Sequence, residues 1–542
     1  MGNIYDFIIL GAGPNGLQAG AYLSRAGEKI LILEQRYECG GGLWTEESTY
    51  PGFLHSTHAI YMMMTDFAPV YTDFNMEAEY GVTHIHPEMT FAMPFEDGKC
   101  LCLYKDLDRT LKSIARFSEK DAESYRDFYK FCKTCVDDFI GPATYVPPHG
   151  ALDSIVKLQQ SELGEAILSY SQRTPLDIIE EKFKNDRVRA MMLYMCTHWG
   201  VKYDQSGLGY LVLLYLNRAH NYKLVKGGSH MVPQALNKVI HRHGGVVKNN
   251  QRVTRIIVEN GQAVGVETIE GHVYYAKKAV VSSLNPIQTF KDLVGEDHLD
   301  SEFSEKLNSW EWESCSLLGV HSALEERPRF KVAVSDPGID DAFVYILGYE
   351  SMADYINYMD AVYRGEMPKK IGFNCCFPSN HDPSLAPAGR CVSLISSLSP
   401  HDLSDGGADK WYRLAFREEQ AGRCLDVLER YAPNITRDKI FQTYISTPVD
   451  IANKFPTMQK GSIKHGAYTP FQMGFLRPNE ECSHNRTPIE NLYMAGASVY
   501  PGGCVIWGSG YLAVERLAKD YNLNKWWKEP QCVTKLLESG MH

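Results

Sequence analysis

The sequence lacks the features of a membrane-spanning chain and of a nucleic-acid-binding chain. No uncharged apolar run reaches about 18 residues, the length that a membrane-spanning helix needs. Basic side chains are the minority, 55 against 66 acidic ones, which gives a net charge of −11. Because nucleic-acid phosphates require a basic surface, we expect no nucleic-acid partner.

Paired cysteines are also scarce, although the chain contains 14 cysteines. Cys132 and Cys135 form a CxxC motif, but no second pair follows at zinc-finger spacing, so we predict no metal site. No secretory hydrophobic segment is found, and so many thiols are typical of a reducing compartment. We therefore expect a cytoplasmic protein, with peripheral membrane contact and a homo-oligomeric state left open.

The first fifty residues predict a dinucleotide-binding unit. A strand pattern at residues 5–10, a glycine-rich turn, a helical pattern and a second strand pattern ending at Glu34 follow one another. The glycines permit the tight turn, the approach of a pyrophosphate and the packing of helix on strand, while Glu34 accepts from ribose hydroxyls. The residues assigned to the cofactor here are Gly11, Gly13, Pro14, Asn15, Gly16 and Glu34.

The residues after Glu34 favour a flavin over a nicotinamide cofactor. In the two-dinucleotide-binding-domain flavoproteins, a basic residue and then a glycine pair follow the ribose acid, and this sequence has a similar pattern. No second GxGxxG appears, so a separate NAD(P)H domain is not expected. The residues assigned to the cofactor in this stretch are Gln35, Arg36, Gly41, Gly42, Leu43 and Trp44.

A strand of the middle region supplies one more candidate. The Asn260-Gly261 pair predicts a hairpin turn after a strand pattern that contains Val253. In flavoproteins of this class, a valine in such a strand holds the adenine edge with its backbone groups. We assign that role to Val253.

Near the carboxyl terminus, the pattern of strand, glycine loop and helix occurs again. A strand ends in small residues near Gly496, and a helix begins at about Tyr511. The positive end of that helix could stabilise an anionic reduced flavin ring. The residues assigned to the cofactor here are Gly496, Gly503, Val505 and Gly508, and those assigned to the substrate pocket are Tyr500, Cys504 and Trp507.

These segments together resemble the phytoene-desaturase-like branch of the FAD-dependent oxidoreductases, which includes bacterial carotenoid desaturases and the pyridine nucleotide-disulphide oxidoreductase domain-containing protein 2 type. The resemblance covers most of the chain and includes residues 379–389, 447–448, 477–478 and 486–493. Family members carry a longer glycine run where Cys504, Ile506 and Trp507 stand here. We therefore do not assume that this chain acts on the same substrate as the family.

The expected fold class is α/β, with a discontinuous Rossmann-like FAD-binding domain and a second α+β substrate domain of mixed sheet plus helices. The apolar helical patterns at residues 187–199 and 207–216 suit core helices, the wall of a substrate tunnel or a membrane-touching patch. The predicted boundaries are 1–70, 220–290 and 485–525 for the FAD-binding domain, 71–219 and 291–484 for the substrate domain, and 526–542 for a carboxyl-terminal tail.

The leading functional hypothesis is an FAD-dependent dehydrogenase or desaturase that removes a hydride from a C–C bond of an apolar, cyclic or isoprenoid substrate. His55 and His58 are the candidate acid–base residues, with His465 a weaker one. Three alternatives stay open: a flavin amine oxidase, a flavin-dependent isomerase and a non-enzymatic escort of prenylated proteins. The electron acceptor is oxygen, a quinone or another protein.

Overall fold

The structure is a computed structural model that describes residues 3–542. Its strands are β1 (Ile4–Leu10), β2 (Ile30–Leu33), β3 (Thr45–Glu46), β4 (His55–Ser56), β5 (Tyr61–Met62), β6 (His84–Ile85), β7 (Met89–Pro94), β8 (Cys100–Tyr104), β9 (Lys223–Val225), β10 (Val246–Lys248), β11 (Val253–Glu259), β12 (Gln262–Thr268), β13 (Val273–Ser282), β14 (Cys315–Leu324), β15 (Val344–Leu347), β16 (Phe373–Cys376), β17 (Cys391–Pro400), β18 (Ile440–Ser446) and β19 (Leu492–Met494).

The α-helices connect and cover these strands. They are α1 (Pro14–Arg25), α2 (Pro69–Asp73), α3 (Met76–Tyr80), α4 (Leu107–Ala115), α5 (Glu119–Cys135), α6 (Gly141–Ala143), α7 (Ala151–Leu158), α8 (Glu162–Ser171), α9 (Pro175–Lys182), α10 (Asp186–Thr197), α11 (Tyr210–Arg218), α12 (Met231–Arg242), α13 (Ser301–Asn308), α14 (Met352–Tyr363), α15 (Leu414–Tyr431), α16 (Pro448–Lys454), α17 (Gly508–Asp520) and α18 (Gln531–Ser539).

The first sheet has a parallel part, in the order β10, β2, β1, β13 and β19. β12 and β11 continue it as an antiparallel hairpin on the first half of β13. The apolar runs of β1 and β2 are buried, as expected for parallel strands covered on both faces. Helix α1 packs against both α12 and α17 on one of those faces. The carboxyl ends of the parallel strands therefore meet at one edge, where ligands bind in such sheets.

The second sheet has the order β18, β14, β17, β16, β15, β7 and β8, and its pairs are antiparallel except for β15 with β7. Val344 and Ile346 point into a core shared with α10 and α14, while Tyr345 and Leu347 point into a core shared with α15. Successive side chains of a strand point to opposite faces of the sheet, so β15 is buried on both of its faces. The sheet thus separates two helical layers, and the layer with α10 lies beside the cavities described below.

The fold class expected from the sequence is confirmed: a discontinuous nucleotide-binding α/β unit is joined to an α+β unit. Its exact domain boundaries stay a prediction. Residues 526–542, expected as a tail, contain α18, and Trp527, Val533 and Leu536 are buried in the core beneath α1 and α17. Among residues 3–542, no helix combines the length and the apolar character needed to cross a membrane.

Candidate functional site

A cavity of about 410 Å³ lies at the carboxyl ends of β1 and β2, within the size range of about 300–1,000 Å³ that is typical of ligand sites. Both ends of the chain contribute to its wall. Of the residues predicted to bind a cofactor, those that line it are Gly11, Gly13, Pro14, Asn15, Glu34, Gln35, Arg36, Gly41, Gly42, Val253, Gly503 and Val505. The structure thus brings together residues that the sequence placed in four separate segments.

The glycines of the first turn leave the room that a dinucleotide needs. A Cβ atom on Gly13 would meet nothing within 4 Å, so the space beside its backbone is open. A Cβ on Gly16 would lie 2.1 Å from the carbonyl oxygen of Gly11, which makes this glycine necessary for the turn itself. Helix α1 begins at this turn without a capping side chain, so its first N–H groups are available to phosphate oxygens. The turn therefore fits a pyrophosphate.

Glu34 is held in place by the backbone of the same turn. One carboxylate oxygen accepts from the N–H of Ala12 at 2.8 Å and the other from the N–H of Arg36 at 2.9 Å. Burial raises the pKa of Glu34, and the two backbone N–H groups oppose that rise. The guanidinium of Arg36 donates to the carbonyl of Lys454 at 2.9 Å and lies over the ring of Phe455. The acid predicted for the ribose thus borders the cavity in a fixed orientation.

Several predicted cofactor residues lie behind the cavity wall. A Cβ on Gly496 would lie 2.5 Å from the carbonyl oxygen of Ser283, and one on Gly508 would lie 2.3 Å from the ring of Pro501. These two glycines, like Gly16, permit close packing beneath the wall. The side chains of Leu43 and Trp44 are also outside the lining, and the Trp44 ring lies 6.2 Å from that of His230.

The glycine loop near the carboxyl terminus has an unusual backbone. Cys504, Val505 and Trp507 have φ values of +65°, +53° and +63°, in the region that glycine adopts without steric cost. The non-glycine side chains here are therefore held under backbone strain beside the cavity, a feature often found at functional sites.

Tyr500 and Trp507, predicted as pocket residues, are not among the described residues that line either cavity. The indole of Trp507 is buried 6.0 Å from the ring of Tyr71, because its left-handed backbone turns the side chain into the core. The hydroxyl of Tyr500 donates to the carbonyl of Ala143 at 2.7 Å. Of the three predicted pocket residues, Cys504 alone lines the cavity, and burial raises the pKa of its thiol to about 11.

Two of the three candidate histidines, His58 and His465, line the cavity, and His55 does not. His55 is not among the described residues that line the cavity: its Nε2 is 2.7 Å from the Thr49 hydroxyl, and its ring packs against that of His321. His58 does line the cavity, but its Nε2 is buried without a partner, and burial lowers its pKa to about 3. His465 lines it as well, with a pKa lowered by burial to about 4.

A second cavity of about 100 Å³ continues the first one into the other unit. The two share a wall that includes His58, Trp199, Cys504 and Val505. Among the described residues that line this second cavity, no Asp, Glu, Lys or Arg is found. Its wall is rich in aromatic rings, namely Tyr61, Tyr194, Trp199, Tyr349, Tyr355, Tyr358 and Phe373.

Sequence reasoning missed the polar residues of this second cavity. Tyr194 and His198 lie on or just after α10, and Asn374 and Ser396 lie on β16 and β17. The apolar pattern at residues 187–199 did suit a tunnel wall, and α10 is indeed both core helix and cavity wall. No local motif marks Asn374 or Ser396, because only the pairing of their strands brings them together.

Comparison with known proteins agrees with this site. The family described as flavin containing amine oxidoreductase matches residues 16–506. The chain is 38% identical to a limonene dehydrogenase chain of Castellaniella defragrans, over 99% of this chain and 98% of that one. It is 26% identical to pyridine nucleotide-disulfide oxidoreductase domain-containing protein 2 of Mus musculus, over 95% and 94%. An oxidoreductase from Methanosarcina mazei superposes with a TM-score of 0.61 at 17% identity, over 95% and 99%.

The resemblance stated from the sequence is confirmed by these matches, and so is the cofactor, FAD. The residues present fit that group, since an open glycine turn, a fixed acid and the uncapped start of α1 border one cavity. The structural likeness shows the fold alone. This chain therefore belongs to the flavin-containing amine oxidoreductase family and is an FAD-dependent oxidoreductase.

Proposed function

We propose that this protein dehydrogenates a small, apolar, cyclic or isoprenoid compound with FAD as hydride acceptor. The observation that carries the proposal is the second cavity, which opens on the cofactor cavity and has aromatic and aliphatic walls without charged side chains. An apolar cavity of about 150 Å³ holds one benzene molecule. A volume of about 100 Å³ is smaller than that, so one small ring would extend from it into the adjoining cofactor cavity, and a long carotenoid chain would not fit.

The relatives support the same class of substrate. Limonene, the compound in the name of the 38% identical relative, is a small cyclic hydrocarbon of the isoprenoid class. The similarity covers nearly the whole of both chains, so both units of the fold have counterparts in that relative. We propose the same substrate class for this chain.

The chain's own residues position the substrate and exclude water. When bound, FAD supplies the hydride acceptor. The wall of Trp199, Cys504 and Val505 lies between the two cavities and would hold the reacting carbon toward the cofactor. Correct orientation of two reacting groups can contribute at most roughly 7–11 kcal/mol to lowering a barrier.

A proton leaves the carbon next to the one that loses the hydride, and we assign its acceptor to His198. The Nδ1 atom of His198 donates to the backbone carbonyl of Tyr194 at 2.9 Å, which leaves the lone pair on Nε2. No group among residues 3–542 bonds this Nε2, and it is not among the fully covered polar atoms. Nε2 of His58, by contrast, is covered by protein. A C–H bond next to an electron-deficient carbon is acidic, so a weakly basic imidazole is sufficient.

The test is anaerobic reduction of the bound flavin. Limonene and related cyclic terpenes are mixed with the purified holoenzyme without oxygen, and the loss of the oxidised flavin absorbance is followed. Primary amines, including cyclohexylamine, form the comparison set. We expect reduction by the terpenes and none by the amines, since the second cavity offers no carboxylate to a charged amine. Reduction by amines alone would replace the proposal with an amine oxidase.

We further propose a reducing, cytoplasmic setting, which the free state of all the cysteines supports. Oxygen, a quinone and a partner protein are the candidate electron acceptors. Reoxidation of the substrate-reduced enzyme with each of them in turn identifies the acceptor by its rate.

A further inference from the structure

The second cavity has one polar corner. Asn374 on β16 stands directly opposite Ser396 on β17, and both line the part of the cavity that the cofactor space does not share. Tyr194 of α10 lines the same part, and the amide nitrogen of Asn374 donates to its hydroxyl oxygen at 2.8 Å. We call these three residues the polar corner.

The polar corner has unused hydrogen-bonding capacity. The Tyr194 oxygen accepts from Asn374, so this bond does not use the O–H hydrogen of Tyr194. No group among residues 3–542 accepts that hydrogen. No described group bonds Oδ1 of Asn374 or Oγ of Ser396, and neither atom is among the covered ones. Both atoms, on half-buried residues, are therefore accessible from the cavity.

Two other tyrosines of the same wall have satisfied hydroxyl groups. The Tyr355 hydroxyl is bonded to that of Thr197 at 2.8 Å, and the Tyr358 hydroxyl donates to the carbonyl of Leu398 at 2.6 Å. Tyr349, whose ring lies 5.6 Å from that of Tyr194, has no such partner among the described residues and adds a hydroxyl beside the corner. The tyrosine hydroxyls of this wall without a partner among the described residues are thus those of Tyr349 and Tyr61, together with the O–H hydrogen of Tyr194.

The ring of Tyr194 is held in place by two neighbouring groups. It stacks on the imidazole of His198 with 4.9 Å between centroids and 5° between planes. The amide of Asn374 fixes the other end of the side chain. A hydroxyl held at both ends of its side chain is a preorganised donor, which reduces the entropy cost of binding a ligand.

We propose that the substrate carries a hydroxyl group, which binds in the polar corner. This inference rests on the proposed function. A substrate hydroxyl accepts from Tyr194 and donates to Oδ1 of Asn374, which satisfies both groups at once. A ketone satisfies the donor only, and a pure hydrocarbon satisfies neither. A polar group left unpaired on burial weakens binding by a measurable factor.

Binding to the oxidised holoenzyme tests this inference without any turnover. Limonene, its alcohol carveol and its ketone carvone are titrated against the flavin absorbance spectrum, and their dissociation constants are compared. We expect carveol to bind about 10- to 100-fold more tightly than limonene, with carvone between them. Equal affinities for the three compounds would overturn the inference, because a water molecule would then satisfy the corner.

Two variants assign the preference to the corner. Asn374→Leu removes the acceptor at similar size, and we expect it to abolish the preference for carveol over limonene. Tyr355→Phe is the matched control, since it removes a hydroxyl of the same wall that Thr197 already satisfies. The control should keep the preference. A preference that survives Asn374→Leu in a variant with normal flavin content would contradict the assignment.

The two proposals fail in distinguishable ways. If carveol binds preferentially but no terpene reduces the flavin, the proposed function fails and the hydroxyl-binding corner stands. If terpenes reduce the flavin with no preference for the alcohol, the function stands and the corner is overturned.

Discussion

The backbone N–H of Gly510 donates a hydrogen bond to Oδ1 of Asn15 at 3.3 Å, across 495 residues of sequence. This bond joins the first turns of α17 and α1, which pack against each other. Neither helix has a capping hydrogen bond from its own N-cap residue, and the Asn15 side chain satisfies one of the first N–H groups of α17. The start of α1 therefore borders the cofactor cavity, where its positive end suits a pyrophosphate, and the start of α17 is held against it behind the cavity wall.

Gly13→Val should give a folded protein without flavin. The backbone of Gly13 has φ −73° and ψ 178°, which any residue adopts, and its Cβ would enter open space. The valine side chain would then occupy the volume that the pyrophosphate needs. The flavin absorbance per protein and the circular dichroism spectrum check both halves of this expectation. Gly150→Ala, at an open position far from the cavity lining, is the control; a yellow Gly13→Val protein would contradict the site.

Glu34→Gln should weaken FAD binding by about 10- to 100-fold, since hydrogen bonds to a charged group contribute about 1.5–3 kcal/mol. The two carboxylate oxygens of Glu34 accept from the N–H groups of Ala12 and Arg36. The side-chain amide of glutamine has only one oxygen, so it cannot accept from both. Quenching of FAD fluorescence on titration with apoprotein measures the affinity. Glu47→Gln removes a carboxylate that accepts from Gly52, away from the cavity, and should leave the affinity unchanged.

Acid should destabilise the protein because buried histidines must remain neutral in the folded state. Burial lowers the pKa of His58 to about 3 and those of His198 and His220 to about 4. In the unfolded chain these residues take up a proton near pH 6.5, so the unfolded state binds more protons below that pH. The free energy of unfolding should fall as the pH drops from about 6.5 toward 4, by up to about 1.4 kcal/mol per pH unit for each histidine.

Urea unfolding at pH 7.5, 6 and 5 measures this slope. His220→Gln should reduce it by up to about 1.4 kcal/mol per pH unit, because one group with a displaced pKa is removed. A slope that is unchanged in this variant, or a stability that rises on acidification over this interval, would contradict the burial of neutral imidazoles.

The Cys504→Gly variant should be more stable than the Cys504→Ala variant. Within a helix the alanine variant is the more stable of such a pair. The φ of +65° at this position costs a residue with a Cβ roughly 1–2 kcal/mol, and glycine avoids that cost. At Lys238, an exposed position within α12, the alanine variant should be the more stable by about 1 kcal/mol. Thermal unfolding of the four holoproteins checks the two orders.

Lys464→Met should destabilise the fold by about 3–5 kcal/mol because it leaves a buried charge unpaired. The ammonium of Lys464 pairs with the carboxylate of Glu313, both side chains being almost fully buried, and also donates to the carbonyl of Trp199 at 2.6 Å. The double variant with Glu313→Gln should recover part of the loss. Equal losses in the single and double variants, measured by urea unfolding, would show that the pair is not coupled.

His198→Gln should slow flavin reduction by about 100- to 10,000-fold while substrate binding persists, as expected for loss of a proton acceptor. His58→Gln is its comparison, since Nε2 of His58 is covered by protein. Anaerobic stopped-flow reduction separates the rate constant from the affinity. A larger decrease in the reduction rate for His58→Gln than for His198→Gln would assign the proton acceptor to His58, as the sequence analysis suggested.

Local patterns were sufficient for the cofactor half of the site. The turn at Gly11 to Gly16 and the acid at Glu34 are close in sequence, so strand, turn and helix preferences suffice to place them. The second glycine loop could be identified for the same reason. Its side chains could not be placed, because the left-handed backbone of Trp507 directs the indole into the core instead of the pocket.

The sequence by itself determined that two glycine turns, each between strand and helix, exist at opposite ends of the chain, because each depends on residues that are neighbours in the chain. The tertiary structure alone decided what the substrate meets. Asn374 and Ser396 face each other only through the pairing of β16 with β17, and Tyr194 reaches them only because α10 packs against that sheet. Such contacts depend on strand register and helix packing, which no short pattern of residues records.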